Sequence, residues 1–168
     1  MRFDLVQHVR APASDVAAAF ADPAFYASLE GLPKLGAPEV LDHAIDGGTV
    51  RLRVRYRFVG ELSSAVRAVV DPHKLTWIED GTHDLAARQV SWTMVPDHYG
   101  DRFTCQGRTR YDTDGDDRTV RHATGDLRVR MALVAGRVER AIVSGLQEHL
   151  DAEAPLVEQW ASGAQHDG

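Results

Sequence analysis

The chain has 168 residues, 43% of them hydrophobic and 26% charged, enough for one core without covalent staples. Its formal net charge of −6 argues against a nucleic-acid binder held by a global basic field, and its single cysteine, Cys105, excludes an internal disulfide or a multi-cysteine zinc site. No apolar run reaches the ~18 residues of a membrane span, and Met1-Arg2-Phe3-Asp4-Leu5 does not open a signal peptide, so a cytoplasmic protein is expected.

Arg2 to Arg10 alternates as a strand, with Phe3, Leu5 and Val9 on one face. Ala11-Pro12 closes it, and Ser14 or Asp15 can cap a short helix through Phe20. Asp22-Pro23 breaks that helix and starts a second, Ala24 to Leu29, which Gly31 and Pro33 end. The pair has the shape of a helix-turn-helix but no basic recognition helix.

The period then changes to two. Glu39 to Asp46 reads as a strand and Gly47-Gly48 as a hairpin turn. In Thr49 to Val59, Val50, Leu52, Val54, Tyr56 and Phe58 alternate with Arg51, Arg53, Arg55 and Arg57, which predicts one buried and one wet face. Glu61 to Val70 reads as a short helix or irregular crossing. Strands follow at Leu75 to His83, Ala87 to Val95 and Arg102 to Thr113. A hairpin tip at Asp112 to Asp117 leads into a last strand, Arg118 to Leu133. Val120 and His122 sit on one parity there, and Leu127, Val129 and Met131 on the other, so a bulge is expected at Gly125. Val134 to Trp160 repeats apolar residues at three- and four-residue steps, which predicts an amphipathic helix, kinked or restarted at Pro155. Residues 1–161 then form one α+β domain, and Ser162 to Gly168 a polar tail.

The order of strand, two short helices, about six antiparallel strands and a long helix resembles the helix-grip fold of the START and Bet v-like superfamily. Its members include lipid-transfer domains, polyketide cyclases and plant pathogenesis-related proteins. The chain is most similar to an uncharacterised bacterial family of unknown function within it. The likeness is carried by Met1 to Leu5, Ala11-Pro12, Asp15-Val16, Asp22 to Tyr26, the Gly125-to-Met131 strand and Gly136 to Ile142.

The resemblance implies a curved sheet around the C-terminal helix with an apolar, ligand-sized cavity between them. The sheet would line it with Val54, Tyr56, Phe58, Trp77, Trp92, Met94, Phe103, Cys105, Tyr111, Leu127, Val129 and Met131. The final helix would add Val138, Ile142, Leu146 and His149, and the short helices Phe25 and Tyr26 near one mouth. For any one of these residues plain core packing is the simpler reading; the binding reading belongs to the set.

Eight histidines show no HExxH or HxxxH spacing, so no metal site is expected, and no motif implies a cofactor. His43, His73, His83 and His98 fall at turns or strand ends and read as solvated surface. His149 lies on the apolar stripe of the last helix and is the first choice for a polar group in the cavity. Cys105 reads as a small inward filler. Glu79 and Asp80 are adjacent and face opposite sides of a strand, so they are no carboxylate pair. No catalytic residue is assigned.

Three readings follow in order. The first is a carrier or sensor for an apolar small molecule such as a lipid, isoprenoid or polyketide-like compound. The second is a cyclase or hydratase-type enzyme using His149, Tyr111 or Tyr56. The third is an interaction module that presents the arginine-rich outer sheet face to an acidic partner or anionic headgroups.

Overall fold

The computed structural model describes residues 1–68 and 70–163. Seven strands form one antiparallel sheet in the order β1-β7-β6-β5-β4-β3-β2, where β1 is Arg2–Val9, β2 Glu39–Asp46, β3 Thr49–Arg57, β4 Thr76–Asp84, β5 Gln89–Pro96, β6 Phe103–Thr113 and β7 Thr119–Val129. Helices α1 (Ala13–Ala19) and α2 (Pro23–Ala27) follow β1, α3 (Ser64–Arg67) lies in the β3–β4 crossing, and α4 (Ala135–Ala161) ends the domain. None of the described helices is long and apolar enough to cross a membrane.

The local sequence accounts for these elements. Asp22 accepts a hydrogen bond from the Ala24 amide at 2.9 Å and Pro23 occupies the first turn, so a five-residue helix starts where the chain must bend. In β3 Val50, Leu52, Val54 and Tyr56 are buried while the arginines face out. Those arginines meet acids across the sheet. Arg51 lies 2.8 Å and Arg53 3.6 Å from Asp80, and Arg55 lies 3.5 Å from both Glu39 and Asp97. Exposed pairs of this kind contribute about 0–1 kcal/mol each. They also occupy three cations that an acidic partner would need.

The C-terminal helix is tied to the sheet along its length. Glu139 accepts from the Val129 amide at 2.8 Å, and Gln147 donates to the Val6 carbonyl at 3.0 Å. Gln7 donates to the Leu150 carbonyl. Leu150 and Val157 point into the core, with Leu146, Ile142 and Val138 packed beside it.

Three expectations change. β7 has no bulge at Gly125: its register runs unbroken against both β1 and β6. Residues 119, 121, 123, 127 and 129 all share the inner face, so the apparent phase slip arises because an inward position is an arginine, Arg121. A register irregularity occurs instead in edge strand β2, between Val40 and Asp42. The last strand ends at Val129, so Met131 and Leu133 lie in the turn to α4, where Leu133 takes a φ of 68°. α4 continues through Pro155 without restarting. Of the expected tail, residues 164–168 lie outside the described residues, as does Val69 in the expected Glu61-to-Val70 crossing.

Candidate functional site

Between the inner face of the sheet and α4 is a cavity of about 80 Å³. It has room for only a few water molecules and is smaller than the roughly 300–1,000 Å³ of pockets that take drug-sized ligands. The expected ligand-sized space is narrowed by rings. Phe3 and Trp92 stack at 6.2 Å, and Tyr56 and Trp77 at 5.8 Å.

Eight of the residues singled out in the sequence line this cavity: Tyr26, Tyr56, Trp77, Trp92, Met94, Tyr111, Leu146 and His149. The other ten do not. Phe25, Val54, Cys105, Leu127 and Val129 are buried in the core, and Phe103, Met131, Val138 and Ile142 pack against it. Phe25 is surrounded by the rings of Phe20, Tyr26 and Trp160, which fill the space between α2 and α4. Phe58 lies past the end of β3, where its backbone bridges Leu35. The thiol of Cys105 is pushed up to about 12 by burial, with Glu79 adding to the effect, so it is a protonated filler.

The cavity wall also carries charge. Arg121 Nη1 donates to Glu153 at 2.8 Å and to Gln7 at 3.2 Å, and its guanidinium stacks 3.9 Å over the Phe20 ring. Burial opposes its charge, but Glu153 outweighs burial and keeps Arg121 ionised. Burial would likewise raise Glu153, yet Arg121 and His149 hold its carboxyl below the usual range. His149 approaches it with Nε2 at 3.6 Å, one turn back on α4.

Glu79 enters from β4. Burial raises its carboxyl above the usual value, and Arg121 offsets only part of that. Burial, with the Glu79 charge adding to it, raises the Tyr26 and Tyr56 phenols well above their ordinary range. Tyr111 is raised chiefly by burial. All three are neutral hydrogen-bonding groups at neutral pH.

Several polar atoms on this wall are buried without a partner among the described residues: Trp77 Nε1, Tyr111 Oη, Arg121 Nε and His149 Nδ1. Each lost bond of this kind costs about 1–3 kcal/mol, and such orphans cluster where a protein is built to meet something else. Tyr26, by contrast, is satisfied by donating to the Phe20 carbonyl at 2.9 Å.

The chain belongs to the family described as "Protein of unknown function (DUF2505)", whose model matches residues 4–161. No curated protein matches it. Among solved structures it is similar to the Zhui aromatase/cyclase from Streptomyces sp. R1128, with 21% identity over 100% of this chain and 98% of that one and a TM-score of 0.66. It is similar to norcoclaurine synthase from Thalictrum flavum, with 19% identity over 96% and 86% and a TM-score of 0.62. A START superfamily protein from Mycobacterium smegmatis matches with 15% identity over 98% and 99% and a TM-score of 0.58. Identities this low establish the fold alone, and the fold is the helix-grip fold of the START and Bet v-like proteins.

Reading the DUF2505 chain as a sequence missed the charged part of its cavity. Arg121 was hidden by the supposed slip in β7; an unbroken period of two would have placed it inward with Ala123 and Leu127. Glu153 stands one turn after His149, a spacing that puts the two side by side. Glu79 shares its strand parity with Trp77. His83, expected at the surface, is 5% exposed and lines the cavity, because β4 continues to Asp84 between β3 and β5. Burial lowers its imidazole to about 4, with Arg121 contributing, so it is neutral.

Proposed function

We propose that this protein binds an apolar small molecule, of lipid, isoprenoid or polyketide-like kind, in the cavity between sheet and helix. The observation that carries the reading is the set of buried, unpartnered polar atoms on an otherwise aromatic and aliphatic wall, among them Trp77 Nε1 and Tyr111 Oη. Flat rings offer contact area, and a few orphaned donors orient what lies between them. The shared fold supports the reading, since its solved examples include an aromatase/cyclase and a norcoclaurine synthase in complex with dopamine and hydroxybenzaldehyde. Entry of anything beyond a small ring requires movement at the rim. Leu35 and Leu146 line the cavity, and the loop carrying Leu35 is held to α4 by a Lys34–Glu148 pair at 2.6 Å.

The test is native mass spectrometry of the purified protein, followed by solvent extraction, with a panel of isoprenoid alcohols, fatty alcohols and aromatic ketones titrated in parallel. A bound mass that disappears in a Leu146→Trp variant of unchanged fold is expected. Absence of any co-purifying mass together with no binding from the panel would end the proposal.

A further inference from the structure

The charges on the cavity wall are unevenly committed. Arg121 is taken up by Glu153 at 2.8 Å and Gln7 at 3.2 Å, and Glu153 is also faced by His149. Glu79 has no hydrogen bond or ion pair among the described residues, although it lines the same cavity from β4. Its influences from Arg121, Glu153 and His149 are through-space only. Glu79 is half-buried on a largely apolar wall, so its unpaired carboxyl is open to whatever enters the cavity.

Two further groups aim at the same space. Tyr111 is 2% exposed and His149 9% exposed, and Tyr111 Oη and His149 Nδ1 have no partner among the described residues. Both can give or take a hydrogen bond. Among the described residues the wall therefore offers one uncommitted acid, two ambivalent groups and no cation without an acidic partner, since Arg121 is paired with Glu153 and keeps only Nε free to donate.

We infer that the ligand's buried end carries a hydrogen-bond donor, a hydroxyl or a protonated amine, seated on the Glu79 carboxyl, and that carboxylate-headed ligands are refused. This rests on the cavity being the binding site. A hydroxyl donates to Glu79 and accepts from Tyr111 or His149, which gives two partnerless groups a bond at once. An ammonium adds charge pairing and itself favours the ionised form of the acid. A carboxylate would lose its water beside Glu79 and Glu153 and find the Arg121 charge already paired with Glu153, with only the Nε donor left over.

The test compares three ligands with one skeleton: 3-phenylpropanol, 3-phenylpropylamine and 3-phenylpropanoate. Each is titrated at neutral pH against the tryptophan indole N–H signals of the wild-type protein. The alcohol and the amine are expected to bind at least about tenfold more tightly than the carboxylate, the size of effect that like-charge juxtaposition produces. Glu79→Gln is expected to erase the amine's advantage over the carboxylate while holding the alcohol within about threefold, because the amide oxygen still accepts a hydrogen bond. A carboxylate that binds as well as the alcohol overturns the inference. So does an amine preference that survives in Glu79→Gln. The wild-type comparison decides alone if that variant fails to fold. If none of the three binds, the cavity reading falls and the inference falls with it, an outcome distinct from binding without discrimination.

Discussion

Arg121 on β7 and Glu153 on α4 meet at 2.8 Å with their side chains only 14% and 4% exposed, and this pair joins the sheet to the helix that it grips. Each ion is out of water, so its partner is what makes it tolerable. Arg121→Met leaves Glu153 buried with only His149 beside it, and a loss of about 3–5 kcal/mol is expected in urea denaturation. Glu153→Gln in the same background should return much of it. A single substitution that cost almost nothing would show that the pair is not holding the two elements together.

His83 sets a pH dependence of known sign. Its folded value is lowered by burial to about 4 from the ordinary 6.5, so the folded state prefers the neutral ring. The stability it contributes is fully present above pH 6.5 and declines as pH falls toward 4, where the unfolded chain binds the proton that the folded chain refuses. The full effect is about 3 kcal/mol, at ~1.4 kcal/mol for each unit of difference. His83→Gln should flatten the stability profile in that window, read by thermal melts at a series of pH values. Glu79 acts in the opposite sense: its raised carboxyl costs stability as pH climbs above the ordinary carboxylate range. A parallel profile in the variant would remove His83 as the source.

The elements were legible in the sequence wherever one face was apolar and the other charged. Val50 to Tyr56 against Arg51 to Arg57 is such a stretch, and β3 is where the alternation put it. The long helix was legible for the same reason. What pattern reading lost was every inward position occupied by a polar residue. Arg121, Glu79 and His83 break the hydrophobic period, and a rule that equates inward with apolar discards them. The burial of Arg121 is made possible by a partner far away in the chain, Glu153, 32 residues on. Which residues reach the cavity was equally illegible. Val54 and Tyr56 share a face, yet only Tyr56 is long enough and placed to line the space.

Gly107 and Gly125 face each other across β6 and β7 and are expected to tolerate no side chain. A Cβ on Gly107 would lie 2.2 Å from the Thr124 carbonyl and 2.5 Å from the Trp92 ring. One on Gly125 would lie 2.5 Å from the Phe3 ring. The stacked Phe3 and Trp92 rings rest where those side chains would stand, so the two glycines shape the cavity floor. Gly107→Ala should cost at least about 1–3 kcal/mol, the range for overpacking. Gly100→Ala is the control, with nothing within 4 Å of its Cβ; a gain of up to about 1 kcal/mol is expected there from the stiffer unfolded chain. Equal melting temperatures for the two variants would contradict this account.

Tyr111 separates binding from stability. Its hydroxyl is buried with no partner among the described residues, while its ring stacks on Phe20 at 5.8 Å. Tyr111→Phe keeps the ring and removes an unsatisfied polar atom, so the free protein should be unchanged or more stable by about 1 kcal/mol. If the hydroxyl serves a ligand, the same change should weaken the binding of 3-phenylpropanol by about tenfold, the worth of one well-placed hydrogen bond. A hydroxyl that served only the fold would show the reverse, with stability falling and affinity intact. Denaturation and titration of the one variant therefore discriminate between the two roles, because the structural role and the binding role move the two measurements in opposite directions.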